Sequence, residues 1–308
     1  MLKLALVTVA LAFSSLAHAE KIQLALNWKP EPQFGGFYAA ESAFKKNKLD
    51  VEVLQGGSGT PVVQMVGADK VPFGIASADE VVIARSNGSD VVAIFAAYQT
   101  NPQGIMAHAE RGFKSIGDVY DSEGVLAIQK GLPYAMFLSK KYPKSKATIV
   151  PYAGGIQNFL TDKTFSQQCF VTSEPLSAQK QGVKVKAFLI AEEGYNPYTT
   201  VLITREKTLK DNPELVKQMV AAVREGWRTY LDKPEPTNKM MAKLNPSMDL
   251  KTFAESAEAQ KPLIETAETK TSGLGSMTKE RWQQLTKQLA DLKLIKKAPA
   301  VDSLFLNP

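Results

Sequence analysis

Cysteine and histidine are nearly absent from this 308-residue chain. It holds one cysteine, Cys169, and two histidines, His18 and His108. A lone cysteine forms no internal disulfide, and the apolar stretch QQCFVTS around Cys169 favours a buried small side chain. Ser-His-Asp or Cys-His nucleophile sites and histidine-rich metal sites need more of these residues. We therefore expect a non-enzymatic protein with no catalytic residues, no cofactor and no metal.

Long apolar runs are equally scarce. The run at residues 4–13 is shorter than the roughly 20 residues that cross a bilayer. It follows Lys3 and is closed by the small residues of Ala-His-Ala at 17–19, as in a secretory signal with its cleavage site. We expect residues 1–19 to be a cleaved signal peptide and the rest of the chain to be exported.

Charge of one sign is not concentrated anywhere in the chain. The formal net charge is +6, and the basic residues are spread along the sequence. A mild, dispersed positive charge is weak support for a nucleic-acid or membrane partner. We expect no nucleic-acid partner.

Predicted strands and helices alternate as far as about residue 205, and only helices follow. This order is typical of α/β proteins with mostly parallel sheets and helices on both faces. We predict two α/β lobes, with residues 20–100 plus 201–308 in lobe 1 and residues 101–200 in lobe 2. Ligands bind beyond the carboxyl ends of such strands and between lobes, so we predict an interlobe cleft and a hinge.

The stretch NWKPEPQFGGFYAAE, residues 27–41, follows the first predicted strand. An indole at a strand end stacks on flat ligands and offers one N–H donor, although Trp28 also suits ordinary packing. Gln33 adds an amide, and Gly35 and Gly36 either admit a ligand to the helix start or only serve the turn.

Other strand-to-helix junctions carry further aromatic and polar residues. The GGSGT loop at 56–60 offers backbone N–H groups but lacks the lysine of a phosphate loop, so a plain turn is its alternative. Ser77 either contacts ligand or only caps a helix. Glu174 in VTSEP is suited to ring amines or amides, or to a structural salt bridge. The residues predicted to bind ligand are Asn27, Trp28, Gln33, Phe34, Tyr38, Ser58, Ser77, Tyr134, Tyr152, Glu174, Tyr195 and Tyr198.

These stretches resemble one known family. NWKPEPQFGGFYAAE, then LDVEV, a glycine-rich loop and FGIASADE, resemble the N-terminal lobe of the thiamine-pyrimidine-precursor-binding family, and VTSEP and GYNPY resemble further stretches. The resemblance covers nearly all of the exported chain. It implies a type II periplasmic binding protein with Trp28 as a stacking wall, Gln33 and Tyr38 beside it, and Glu174 reaching in from the second lobe. It also implies a small-molecule ligand, an ABC permease in the inner membrane as partner, and a periplasmic, monomeric receptor.

The ligand stays open at this point. A thiamine pyrimidine precursor is favoured, and riboflavin is the close alternative. A sulfonate or nitrate is disfavoured because a carboxylate repels anions and the nearest arginine, Arg111, lies outside the predicted loops. The alternative class is an enzyme like the eukaryotic branch of the fold, which makes the thiamine pyrimidine with pyridoxal phosphate, a particular histidine and a cysteine-rich iron motif. That motif is absent here.

Overall fold

Residues 21–308 are described by the computed structural model, in which they build two five-stranded sheets. The predicted signal peptide at 1–19 lies outside the described residues. The strands are β1 (Ile22–Ala25), β2 (Val51–Leu54), β3 (Phe73–Ala76), β4 (Val91–Tyr98), β5 (Gln103–His108), β6 (Val125–Ala127), β7 (Thr148–Val150), β8 (Phe165–Phe170), β9 (Val185–Leu189) and β10 (Thr199–Arg205).

Fourteen α-helices and four short 3-10 helices surround these sheets within residues 21–308. The α-helices are α1 (Gly35–Ala39), α2 (Glu41–Lys46), α3 (Val62–Gly67), α4 (Ala78–Ser86), α5 (Ile116–Tyr120), α6 (Pro133–Lys141), α7 (Gln157–Thr161), α8 (Glu174–Lys180), α9 (Glu206–Asp211), α10 (Pro213–Asp232), α11 (Glu235–Leu244), α12 (Leu250–Ile264), α13 (Ala267–Ser272) and α14 (Lys279–Asp291). The 3-10 helices are Pro32–Phe34, Ala109–Arg111, Ile190–Glu193 and Val301–Ser303. In this part of the chain, none of the helices combines the length and apolarity needed to cross a membrane.

Both sheets are mixed but mostly parallel, as predicted, since four of the five strands in each run in the same direction. The first has the order β2-β1-β3-β10-β4, with β1 parallel to β2 and β3. Strand β10 runs antiparallel to both of its neighbours, β3 and β4. The reason is topological. The chain leaves this sheet at the carboxyl end of β4 and returns at the same end of the sheet to begin β10, so β4 and β10 run in opposite directions.

The second sheet repeats this arrangement. Its order is β7-β6-β8-β5-β9, with β6 parallel to β7 and β8 and with β5 antiparallel to β8 and β9. Strand β5 brings the chain in and β9 leads it out. The α/β class predicted from the sequence is confirmed, and the carboxyl ends of the parallel strands in each sheet carry the predicted site segments.

Gly35 and Gly36 serve helix packing. A Cβ atom on Gly36 would lie 2.1 Å from the ring of Trp227, and one on Gly35 would lie 2.1 Å from the ring of Tyr230. Both rings belong to α10 and are fully buried. The absence of side chains lets α1 lie directly against α10, which is a role that neither of the alternatives drawn from the sequence had named.

Candidate functional site

The segment that carries Trp28 is held against the turn after β2. The amide of Gly56 donates to the carbonyl oxygen of Trp28 at 3.1 Å, and the amide of Leu26 donates to Leu54 at 2.9 Å. A Cβ on Gly56 would lie 2.1 Å from the carbonyl oxygen of Leu26, so only glycine permits this approach. The indole of Trp28 is left 38% exposed. It is therefore available to a ligand, unlike a tryptophan used for core packing.

Glu31 binds two of the predicted site residues, and sequence reasoning missed it. Its Oε1 atom accepts a hydrogen bond from Nε1 of Trp28 at 3.3 Å, and its Oε2 atom accepts one from Nε2 of Gln33 at 3.1 Å. The signal in the sequence was an acidic residue between two prolines, Pro30 and Pro32, in the loop already predicted to bind ligand. Burial raises the pKa of Glu31, and the hydrogen bonds from Gln33 and Trp28 oppose that rise.

Glu174 stands at the start of α8, beyond the carboxyl end of β8. Its Oε2 atom accepts from the amide of Phe170 at 2.8 Å, and its Oε1 atom accepts from the hydroxyl of Tyr152 at 3.4 Å. Burial raises the pKa of Glu174 to about 7, the backbone hydrogen bonds oppose this, and the negative charge of Glu31 adds to it. The two carboxyl groups belong to different sheets, since Glu31 follows β1 of the first sheet and Glu174 follows β8 of the second.

Two glutamines complete the wall beside Glu174, and they too were missed. Oε1 of Gln168 accepts from the hydroxyl of Tyr134 and from the amide of Gln129, both at 2.7 Å. Nε2 of Gln168 donates to Oε1 of Gln129 at 3.0 Å. The sequence signal for Gln168 was the pair Gln167-Gln168, two polar residues inside the buried strand β8. Tyr134 is buried and holds this pair in place, while Gln129 is exposed at the end of β6.

Three predicted residues are engaged by protein groups elsewhere. The hydroxyl of Ser77 donates to Asp79 and its amide donates to Glu80, so Ser77 caps α4, the alternative left open above. The hydroxyl of Tyr195 donates to Oδ2 of Asp79 at 2.9 Å, and Tyr195 is buried. These contacts link α4 to the segment between β9 and β10.

Tyr198 lies in the same returning segment and is also buried. Its hydroxyl accepts from the amide of Thr278 at 2.9 Å, and the guanidinium of Arg281 lies 3.7 Å from its ring centroid. Arg281 also donates to the carbonyl oxygen of Asn196 at 2.9 Å. A pocket of about 360 Å³ lies here, lined by Asn196, Arg281 and neighbours from α13 and α14, and none of the predicted site residues line it.

The remaining four predicted residues lie in the loop and helix after β1 and in the turn after β2. Phe34 and Tyr38 are buried in the core, and burial raises the pKa of Tyr38 to about 12. Their burial favours packing over ligand contact. Asn27 is half-buried and Ser58 is exposed at the tip of the glycine-rich turn. The ligand contacts of all four stay predictions.

Groups suited to other chemistry are buried or are engaged by protein atoms. The ring of His108 stacks on Phe159, and its Nε2 atom lies 2.8 Å from the carbonyl oxygen of that residue. Cys169 is buried, and burial raises the pKa of its thiol well above the ordinary value. Arg111 donates to the carbonyl oxygen of Thr164, at the amino end of β8 and thus at the edge opposite Glu174. Within residues 21–308, no group of three or more acidic, histidine or cysteine side chains is arranged to hold a metal.

Residues 21–308 thus form two mixed sheets with surrounding helices, joined by the two segments that connect β4 to β5 and β9 to β10. The chain belongs to the NMT1/THI5 like family, whose model matches residues 31–237. This confirms the family resemblance drawn from the sequence.

Individual relatives are distant but span nearly the whole chain. A riboflavin-binding protein, RibY, of Chloroflexus aurantiacus is 23% identical, with 97% of this chain and 89% of the relative covered. A formylaminopyrimidine-binding protein of Halalkalibacterium halodurans is 21% identical, with 86% and 83% covered. Among solved structures, the periplasmic aliphatic sulphonate binding protein SsuA of Escherichia coli matches with a TM-score of 0.70 at 13% identity, covering 94% of this chain and 92% of that one. The predicted fold, that of a type II periplasmic binding protein, is confirmed.

Proposed function

We propose that the protein is the solute-binding component of an ABC importer and captures a small aromatic heterocycle between two lobes. Residues 20–100 and 201–308 form one lobe, residues 101–200 form the other, and the segments around 98–103 and 196–200 act as the hinge. The signal peptide delivers the receptor to the periplasm, where it works as a monomer and passes its ligand to a permease in the inner membrane.

The observation that carries this proposal is the exposed indole of Trp28, which follows β1 and is hydrogen-bonded to Glu31. An immobilised indole offers a flat surface for stacking, and carboxyl groups at the ring edge accept hydrogen bonds from amino groups. The related riboflavin- and formylaminopyrimidine-binding proteins are named for flat nitrogen heterocycles, which supports the same ligand class here.

A thiamine pyrimidine precursor is the ligand we favour, with riboflavin as the alternative. With a pKa of about 7, Glu174 keeps part of its negative charge at neutral pH, and that charge disfavours sulfonate and nitrate unless a cation offsets it. Arg111, the nearest candidate in the sequence, is engaged at the opposite edge of its sheet. The fold itself does not decide this question, because one fold hosts many ligands.

The competing proposal is an enzyme of the pyrimidine-synthase kind. It requires covalent chemistry at a lysine or histidine. His108 is buried against Phe159 rather than placed at the cleft, which disfavours that route. Absorbance of a lysine-bound cofactor in the purified protein would support the enzyme and contradict a simple receptor.

Thermal unfolding against a ligand panel tests the receptor. The panel holds hydroxymethyl- and formylamino-pyrimidines, thiamine, riboflavin, taurine and nitrate. A ligand at about a thousand times its Kd stabilises a protein by about 4 kcal/mol, which raises Tm by several degrees in a chain of this size. We expect a rise with a pyrimidine or with riboflavin only. A rise with taurine or nitrate alone would refute the ligand class, and no response to any compound would remove the basis for the proposal.

Two variants make this test specific to the cleft. Trp28→Ala removes the stacking surface and should abolish the ligand-dependent rise in Tm. Leu306→Ala removes another exposed apolar side chain, 47% exposed near the carboxyl terminus, and should leave the rise intact. Equal responses of the two variants would show that Trp28 does not contact the ligand.

A further inference from the structure

Glu31 sits on a backbone that is fixed on both sides. Nδ2 of Asn245 donates to the carbonyl oxygen of Pro30, and Nε2 of Gln260 donates to that of Pro32, both at 3.1 Å. Asn245 and Gln260 are themselves buried. The backbone on both sides of Glu31 therefore has little freedom, and its carboxylate is presented from a fixed point to the two side chains that bind it.

The indole of Trp28 has a single polar atom, Nε1, which can only donate. That atom donates to Glu31 at 3.3 Å. The hydrogen bond selects one orientation for a ring that is otherwise 38% exposed and free to turn. A stacking surface that is already oriented binds without the cost of ordering it.

Gln33 is the second group that Glu31 orients. An ionised carboxylate has only acceptors, so Gln33 must turn its NH2 group towards Glu31, as the 3.1 Å contact of Nε2 shows. The carbonyl oxygen of Gln33 then points away from Glu31. Ionised Glu31 also matches the Trp28 donor on its other oxygen.

We propose that Glu31 is a positioning residue that sets the hydrogen-bonding polarity of the cleft on its side. It aligns Trp28 as a stacking surface and leaves the carbonyl oxygen of Gln33 as an acceptor, opposite the acceptor Glu174. This inference rests on the proposed function and deepens it. The ligand selected is a flat ring with N–H donors on two edges, rather than one that presents acceptors to Gln33.

Nuclear magnetic resonance of 15N-labelled protein without ligand tests the positioning. The indole signal of Trp28 is assigned with Trp28→Phe and the side-chain amide signals of Gln33 with Gln33→Leu. In Glu31→Gln, which has the size of glutamate but also carries a donor, we expect the indole signal to move upfield and the Gln33 signals to shift. The matched control is Glu41→Gln on α2, whose carboxylate is exposed and paired with Lys45. It should move none of these signals.

Ligand binding tests the polarity, with hydroxymethyl-pyrimidine as the probe in calorimetry. In Glu31→Gln, the new amide can donate to the carbonyl oxygen of Gln33 and so reverse the orientation of the Gln33 amide. We therefore expect the Kd of this variant for the probe to rise about tenfold or more, while the Kd of Glu41→Gln stays at the wild-type value. Unmoved Trp28 and Gln33 signals in Glu31→Gln would overturn the positioning whatever the ligand is. Moved signals with an unchanged Kd would overturn the polarity. Moved signals, with the whole ligand panel failing on the wild type, would refute the proposed function while supporting the positioning.

Discussion

Replacing Glu174 by glutamine should make the protein less sensitive to rising pH. In the folded state the pKa of this carboxyl is raised from 4.5 to about 7, mainly by burial. The folded protein therefore keeps a proton that the unfolded chain releases near pH 4.5. Between these two values the folded state binds more protons, so the free energy of unfolding falls as pH rises.

The size of the effect follows from that shift. Each pKa unit corresponds to 1.36 kcal/mol, so a shift of this size amounts to about 3 kcal/mol, fully present below pH 4.5 and lost above pH 7. Glu174 is half-buried, and solvent screening lowers the expected value to about 2 kcal/mol. Glu174→Gln keeps the side-chain size and an acceptor for the Phe170 amide, but it does not titrate.

Urea unfolding at a series of pH values from 5 to 8.5 is the assay. About a quarter of this total is already lost at pH 5, so the stability of Glu174→Gln minus that of the wild type should increase by about 1.5 kcal/mol over this range, with unchanged m-values. Any constant offset from altered hydrogen bonds does not matter, because only the pH dependence is used. Glu31 titrates in both proteins and largely cancels. Glu192→Gln, which removes an exposed carboxylate away from Glu174, is the control.

A flat difference for Glu174→Gln would refute the reasoning. It would mean that the backbone amides at the start of α8 stabilise the carboxylate enough to cancel burial. A difference that falls with pH would mean that the hydrogen bonds from the backbone amides outweigh the effect of burial. Glu174 would then be an ordinary anion at neutral pH.

The remaining predictions concern packing, the contact between lobes and the thiol. Gly36→Ala places a Cβ 2.1 Å from a buried indole ring of α10 and should cost about 2 kcal/mol or more in urea unfolding, whereas Gly57→Ala, with open space around the added atom, should cost far less. Lys180→Ala removes a contact of 2.9 Å between α8 and Asp249 at the start of α12, so we expect a larger radius of gyration in X-ray scattering, with little loss of stability. An unchanged radius would refute this bridging role. Cys169 is 2% exposed and should react with a thiol reagent only after unfolding; rapid reaction of the native protein would contradict its burial.

Much of the fold could be predicted because it depends on local patterns. Alternating apolar residues as in KIQLAL mark β1, and the order of strands and helices indicates two α/β units, since side chains alternate in strands and recur every 3.6 residues in helices. The glycine-rich turn at 56–60 and the aromatic loop after β1 were likewise recognisable from residues adjacent in sequence. Glu174 was singled out because it follows a strand, where α/β sheets bind ligands.

Contacts between distant segments were decided only by the tertiary structure. The direction of β10 depends on where the chain returns to the first sheet, and nothing within residues 199–205 encodes it. Gly36 looked like a turn residue until α10, nearly two hundred residues later in the chain, was seen against it. The hydrogen bond from the hydroxyl of Tyr195 to Asp79 joins residues more than a hundred positions apart, and the sequence pattern gave no sign of it.

For Glu31, too, part of what matters could be predicted from the sequence and part depends on the tertiary structure. The sequence by itself determined that an acid stands between two prolines beside Trp28. The atoms that its carboxylate binds, and its electrostatic effect on Glu174, depend on side-chain directions and on how the two sheets face each other. A side chain has several rotamers in the isolated chain, and only neighbours brought together by folding select one of them.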